Sequence, residues 1–212
     1  MVETRALTFF RSVLRGHVSA ASHADTTADD EQQIRDALER HEWDVALTAL
    51  MDAYGRRVYR YCLRMVKDAD LAEDVLQETF VRAHQSLQTF RGDSSFCTWL
   101  HAIAHNRCLD TLKAERRRTQ RVEPTDEPPE YPDAAPGPEF QMRLTEQAAA
   151  LRRCLDRLST PVKAAVLARH QQGMTYLEMS VVLGARPAAL ERKVARALPV
   201  LRRCLERGGI QL

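Results

Sequence analysis

A short segment near the middle of the chain most limits how the protein can fold. Residues 123–140 contain six of the nine prolines and six acidic side chains, with no basic one. Proline fixes φ and removes a backbone donor, so we expect an extended linker here. On both sides apolar residues recur at helical spacing. The sequence therefore predicts an all-α protein of two small helical domains, joined by an acidic, proline-rich linker.

The predicted boundaries follow from this segment. We place an N-terminal extension at 1–33, the first domain at 34–121, the linker at 122–140 and the second domain at 141–212. The extension ends in a polar stretch, Ser22 to Asp30, which predicts a flexible tail. Its role stays open between a regulatory tail, an amphipathic helix built on Leu7, Phe10 and Leu14, and an upstream mis-start.

The formal net charge of +2 argues at first against a nucleic-acid binder. That number is an average, however, because residues 141–212 carry 13 basic and 5 acidic side chains. The acidic linker cancels much of this surplus, so nucleic-acid binding is not excluded.

Cysteine usage and hydropathy indicate the compartment. The five cysteines are widely scattered and form no Cys-x-x-Cys pair; they are Cys62, Cys97, Cys108, Cys154 and Cys204. We therefore expect no disulfide framework and a reducing compartment. No apolar run of about 18 residues exists, and the run Ala6 to Phe10 is too short for a secretory signal. These features predict a soluble, cytoplasmic protein with no membrane insertion.

One predicted helix in the first domain has two contrasting faces. Leu71, Ala72, Val75, Leu76, Thr79, Phe80 and Ala83 fall on one side of a 3.6-residue wheel. Glu73, Asp74, Gln77, Glu78 and Val81 fall on the other, which makes an acidic face with one exposed valine. This face is either an ordinary solvated surface or a docking face for a basic partner helix.

A loop at Phe90 to Phe96 precedes a helix that begins near Thr98 and ends in a basic run from Arg107 to Arg121. Rings beside a basic helix suit single-stranded nucleic acid, because bases stack on rings and cations follow phosphates. The alternative is that Phe90, Phe96 and Trp99 belong to the hydrophobic core.

The second domain shows the pattern of a helix-turn-helix. One helix is predicted from Leu144 to Leu158, and Ser159-Thr160-Pro161 begins another that ends at Gly173. Thr175 and Glu178 form a capping box that begins a short helix ending near Gly184. Pro187 then begins the last helix, which carries Arg192, Lys193 and Arg196 and would enter the major groove of DNA.

Two passages resemble a known family. Ala72-Glu73-Asp74-x-x-Gln77-Glu78-x-Phe80, with Phe90-Arg91-Gly92-Asp93-Ser94-Ser95-Phe96-x-Thr98-Trp99-Leu100-x-x-Ile103-Ala104-x-Asn106, is similar to the second domain of ECF (extracytoplasmic function) sigma factors of the sigma-70 family. This similarity covers about residues 40–118. Gln172 to Gly184 looks, more loosely, like the fourth domain of the family. The predicted fold is thus a sigma domain 2 bundle and a sigma domain 4 helix-turn-helix.

The resemblance implies a sigma factor, which binds core RNA polymerase, directs promoter-specific initiation and helps to melt the −10 region. It implies contact of Glu73, Asp74, Gln77, Glu78 and Val81 with the β′ clamp helices. It implies contact of Phe90, Arg91, Asp93, Ser94, Phe96, Trp99, Asn106, Arg107, Asp110, Lys113, Arg116 and Arg117 with the −10 element. It implies contact of Thr175, Tyr176, Arg186, Arg192, Lys193 and Arg196 with the −35 element, and of the same domain with the β flap. An anti-sigma factor is usual in the family, and the linker is either a mimic of nucleic acid in the polymerase channel or a plain spacer.

The sequence departs from the family pattern at several positions. Lys113 stands where an arginine is usual, and Ser159-Thr160 replaces a proline. Ala188-Ala189 replaces Gly-Thr, Glu191 replaces a basic residue, and Pro199 lies inside the last helix, where it should cause a kink. These departures motivate an alternative function: a sigma-like regulatory protein that docks on polymerase with weakened promoter recognition.

A metal site and an enzyme are the remaining classes. Cys97, His101, His105 and Cys108 make a ligand set suited to zinc. On one straight helix, however, their Cα atoms span about 16 Å and cannot easily surround an ion. The sequence contains no Gly-x-Gly-x-x-Gly, no phosphate loop and no His-Glu-x-x-His. We therefore predict no metal, no cofactor and no catalytic residue.

Overall fold

A computed structural model describes residues 28–119 and 139–210 of the chain. Eight α-helices and no strand occur within these two ranges, which confirms the all-α prediction. The helices are α1 (Ala28–Glu39), α2 (Trp43–Val66), α3 (Ala69–Ser86), α4 (Phe96–Thr119), α5 (Glu139–Asp156), α6 (Thr160–Val166), α7 (Tyr176–Leu183) and α8 (Pro187–Arg207). We call α1–α4 the N-terminal module and α5–α8 the C-terminal module. None of the described helices has the length and apolarity needed to cross a membrane.

Two predicted boundaries fall inside helices. Helix α1 begins at Ala28, so the polar stretch predicted to be flexible through Asp30 ends in helix. Helix α5 begins at Glu139, so the last two residues of the predicted linker are helical. The proposed role of the rest of the linker lies outside the described residues.

The core of the N-terminal module repeats at helical spacing. Helix α2 buries Leu50, Tyr54, Val58 and Tyr61, and α4 buries Phe96, Leu100, Ala104 and Cys108. Helix α3 is capped by the Asp68 carboxylate, which accepts a hydrogen bond from the Leu71 backbone N–H at 2.9 Å. The predicted apolar side of α3 faces this core, with Ala72, Val75, Thr79, Phe80 and Ala83 buried.

The C-terminal module is shaped by caps and turns. Helix α6 continues into a π-helical turn at Leu167–Gln171, and Gly173, at φ +72°, then reverses the chain. The predicted capping box is present, since the Thr175 hydroxyl accepts from the Glu178 N–H while the Glu178 carboxylate accepts from the Thr175 N–H at 2.8 Å. Gly184 ends α7 in the left-handed conformation, as expected. Pro199 lies within α8, which continues past it to Arg207.

The expectation that the chain forms no disulfide framework needs correction. A disulfide joins Cys154 of α5 to Cys204 of α8, with a Cα–Cα distance of 5.8 Å. The two cysteines are 50 residues apart in sequence, and the packing of α5 against α8 brings them together. Spacing alone could not indicate this pair. Cys62, Cys97 and Cys108 are free thiols.

The two modules contact each other. Helix α4 packs on α7, and the Thr98 hydroxyl donates to the Glu178 carboxylate at 3.3 Å. The Arg57 guanidinium of α2 donates to the Gln172 side-chain oxygen at 2.9 Å and to its backbone carbonyl. Sequence analysis did not single out Arg57 or Gln172, because no local pattern marks a contact between residues so distant along the chain.

Candidate protein-binding and nucleic-acid-binding surfaces

The outer side of α3 carries an acidic face, which consists of Glu73, Asp74, Gln77, Glu78 and Val81. All five side chains are exposed, and Val81 is 56% exposed. The opposite side of the same helix is anchored in the core by Val75, Phe80 and a hydrogen bond from the buried Thr79 hydroxyl to the Val75 carbonyl. A rigid helix therefore presents carboxylates and one apolar side chain on a single side, as the wheel predicted.

Three rings form an aromatic cluster where the loop meets α4. The Phe90 ring lies 4.8 Å from the Phe96 ring and 5.0 Å from the Trp99 ring, measured between centroids. Phe96 is 1% exposed and also lies under the Arg35 guanidinium, so it belongs to the core. Phe90 and Trp99 are half-buried. The cluster thus combines one core ring with two rings that are accessible from solvent.

Beyond the cluster, α4 carries polar and basic side chains toward its C-terminus. Arg91, Asp93, Asn106, Asp110, Lys113, Arg116 and Arg117 are exposed, and Ser94 and Arg107 are half-buried. Arg107 pairs with Asp110 and approaches Glu78 of the acidic face at 3.7 Å, so the two candidate surfaces meet at this residue. Within the described ranges, Arg116 and Arg117 have no carboxylate partner, which leaves both guanidinium groups available to an anion.

The candidate DNA-binding residues of the C-terminal module lie on two helices. Arg186, Arg192 and Arg196 are exposed at the beginning and along α8, and Lys193 is half-buried. Thr175 is occupied by the capping box, and the Tyr176 ring lies 5.0 Å below the Arg169 guanidinium. Glu191 is exposed beside Arg192. The cationic side of α8 is therefore present, with one acid within it.

The four residues weighed as a zinc set turn to different partners. His101 Nδ1 lies 2.8 Å from the Cys97 carbonyl, and His105 Nδ1 lies 2.8 Å from the Tyr61 hydroxyl. Cys108 lies against Cys62, and this contact, together with burial, raises the pKa of the Cys108 thiol. Burial lowers the pKa of both histidines to about 4, so both are neutral. No His, Cys, Asp or Glu cluster within the described residues is arranged to hold a metal ion.

The chain matches two family models, Sigma-70 region 2 over residues 50–118 and Sigma-70 region 4 over residues 148–198. It is 30% identical over 160 residues to the ECF RNA polymerase sigma factor SigM of Mycobacterium tuberculosis, a match that covers 76% of this chain and 77% of SigM. The chain belongs to the ECF sigma factors of the sigma-70 family. This confirms the resemblance on which the sequence analysis relied. ECF sigma factors act with RNA polymerase in transcription initiation and are not enzymes.

Further relatives agree with this assignment. The RNA polymerase sigma-H factor of Pseudomonas aeruginosa is 28% identical over 186 residues, which cover 85% of this sigma factor and 96% of the relative. Two solved structures share the fold. One is CnrH in complex with the cytosolic domain of CnrY, with a TM-score of 0.59, 22% identity and coverage of 84% and 97% of the two chains. The other is the sigma factor RpoE from Bartonella quintana in complex with the anti-sigma factor NepR, with a TM-score of 0.58, 19% identity and coverage of 80% and 98%.

Proposed function

We propose that this sigma factor docks on core RNA polymerase through its acidic face, recognises and melts the −10 element with α4, and binds the −35 element with α8. The observation that carries the proposal is the exposed acidic face on α3, in a chain that matches both region 2 and region 4 of the family. Three carboxylates on one fixed helix suit a basic partner surface, because complementary charge speeds and orients docking. Val81 adds an apolar contact at the end of this face.

The −10 function is supported by the aromatic cluster and the end of α4. Phe90 and Trp99 offer ring surface on which an unpaired base can stack, and the buried Phe96 holds both rings in place. Arg116 and Arg117 lie where they can follow the phosphates of an opened strand. Asn106 is exposed on the same helix and would contact the flipped base.

The −35 function is supported by the helix-turn-helix. Helix α7 is fixed by its capping box and by Gly184, and α8 then presents Arg192 and Arg196 on its exposed side. Arginine can contact both phosphates and the acceptor edge of guanine in the major groove. In the family, the same domain also contacts the β flap.

An anti-sigma factor is a further proposed partner. RpoE, whose fold is similar, was solved with the anti-sigma factor NepR. In this chain Leu177 is 72% exposed and Val181 is 60% exposed, one helical turn apart on α7. Exposed apolar side chains grouped in this way are typical of a protein-binding surface.

A second candidate is a sigma-like regulatory protein that binds polymerase but recognises promoters weakly. The exposed Glu191 on α8 favours it, because a carboxylate beside Arg192 repels DNA phosphates. Both candidates bind core polymerase, and only the first supports promoter-specific initiation. Run-off transcription with purified core enzyme therefore separates the two.

The docking step is tested by measuring the affinity of the full chain for core RNA polymerase. We expect Glu73→Lys with Asp74→Lys to weaken binding by about tenfold or more, because two attractive contacts become repulsive. Glu39→Lys on α1 is the matched control, since Glu39 is equally exposed and lies on another helix. Circular dichroism checks that helix content is unchanged. Equal affinity of the wild type and the double variant would contradict the docking assignment.

A further inference from the structure

The disulfide of the C-terminal module lies at a partly accessible position. Cys154 is in the last turn of α5 and is 5% exposed, whereas Cys204 of α8 is half-buried. A thiol from solution can therefore reach the bond from the Cys204 side. Disulfides exchange by attack of a thiolate on one sulfur, so this access is the first requirement for reversibility.

The flanking residues favour reaction in both directions. Arg152 and Arg153 precede Cys154, and Arg202 and Arg203 precede Cys204. Nearby positive charge stabilises a thiolate, which is both the leaving group on reduction and the nucleophile on re-oxidation. Disulfides in proteins that act beside thiol reductants in the cell are usually transient and redox-sensing.

The end of α5 also connects the two modules. Asp156, two residues after Cys154, lies 2.8 Å from the Lys163 ammonium of α6 and 3.3 Å from the Lys67 ammonium at the end of α2. Lys67 is held in a left-handed conformation, and its backbone N–H donates to the Leu63 carbonyl. Lys163 is buried, so Asp156 is the partner that offsets the burial of its charge. The position of Asp156 thus depends on how firmly α5 is held.

We propose that Cys154 and Cys204 form a reversible redox site, and that its reduction loosens the Asp156 contact between the two modules. The inference rests on the proposed function for one point, the presence of thiol reductants around the protein. A thiolate attacks Cys204 Sγ to form a mixed disulfide, and Cys154 leaves as a thiolate that takes up a proton. A second thiol then releases Cys204, so the protein gains two electrons and two protons while two thiols become one disulfide.

Reduction removes the covalent constraint between α5 and α8. Helix α5 is then held by the packing of Ala150, Leu151 and Leu155 and by the charge pairs of Asp156. Closing a loop of 50 residues stabilises a domain strongly in the chain-entropy model, so we expect the melting temperature to fall by about 10 °C or more on reduction.

The experiment uses the full chain alone, in glutathione buffers of graded redox potential. Thiol alkylation and mass spectrometry measure the oxidised fraction of Cys154 and Cys204. In the same samples a carbodiimide joins Asp156 to Lys67 and to Lys163, and the ratio of the two products compares the contact between modules with the contact inside one module. We expect the pair to reduce and re-form reversibly, and the Lys67 product to fall severalfold relative to the Lys163 product as it reduces.

Two variants complete the design. Cys154→Ser with Cys204→Ser should give the low ratio in every buffer, whereas Cys97→Ser, a thiol outside the pair, should respond like the wild type. A disulfide that stays closed in an excess of reduced glutathione would be purely structural and would overturn the proposal. Reduction with an unchanged product ratio would overturn it as well. Polymerase and DNA are absent from the assay, so its outcome is independent of the proposed function.

Discussion

The N-terminal and C-terminal modules solve the problem of holding a functional surface in different ways. The N-terminal module buries large rings and polar side chains, including Tyr54, Tyr61, Phe96 and two neutral histidines, and its three cysteines are free thiols. In the described part of the C-terminal module the buried apolar side chains are aliphatic or sulfur-containing, and a disulfide, a capping box and two left-handed glycines complete the fold. The difference teaches that the first surface depends on packing, whereas the second depends on local closures.

Acidification should produce the largest contrast between the modules. His101 and His105 have a pKa of about 4 when folded and 6.5 as the model value, so the unfolded chain binds protons that the folded chain excludes. Stability is therefore complete above about pH 6.5 and is lost as the pH falls toward 4, by about 2 kcal/mol per histidine at pH 5.

Urea unfolding at pH 7.5 and pH 5 measures this effect. Both tryptophans, Trp43 and Trp99, lie in the N-terminal module, so their fluorescence follows that module. His105→Gln keeps a hydrogen-bonding partner for Tyr61 and should remove about half of the pH dependence. A transition that does not change between the two pH values would contradict the role of the buried histidines.

The two candidate DNA surfaces should differ next in strength and salt dependence. Arg192→Ala with Arg196→Ala should weaken binding to duplex −35 DNA by about 2 kcal/mol. Arg116→Ala with Arg117→Ala should weaken binding to single-stranded −10 DNA and reduce its salt slope by about 0.7 per lost phosphate contact, against about 0.9 for duplex DNA.

Matched controls lie beside each pair. Arg203→Ala removes an exposed charge from the far end of α8, and Arg118→Ala removes a charge that already pairs with Glu115 at 3.3 Å. Both controls should bind nearly as the wild type does. If a control weakens binding as much as its pair, the assignment of that surface is wrong.

The smallest effect tests the local closures. Thr175→Ala removes the hydroxyl that accepts from the Glu178 N–H, and should destabilise the C-terminal module by about 1 kcal/mol. Thr175→Ser keeps the cap and should have little effect. Thermal unfolding followed by far-UV circular dichroism compares the two variants, and equal stability would show that the cap does not matter to the module.

Sequence analysis predicted the features that depend on neighbouring residues. The two faces of α3, the capping box at Thr175 and the turn at Gly184 arise from spacing and local hydrogen bonds, and all three are present. Motif spacing also identified the family. The roles given to individual residues in polymerase and DNA binding remain predictions.

Contacts made by tertiary packing were missed. The Cys154–Cys204 disulfide and the Arg57–Gln172 hydrogen bonds join residues far apart in sequence, so no periodicity indicates them. Phe96 illustrates a related difficulty, because a ring in an aromatic loop can be a contact residue or a core residue. Only the packing against Phe90 and Arg35 shows that it is buried.

Run-off transcription tests the central claim most directly. Purified core RNA polymerase, with and without the chain, transcribes a pool of genomic fragments from the source organism, and the 5′ ends of the transcripts are mapped. We expect start sites that depend on the chain and share sequence elements near −10 and −35, and that are lost with Glu73→Lys and Asp74→Lys. A chain that binds core polymerase yet produces no such start site would contradict the account.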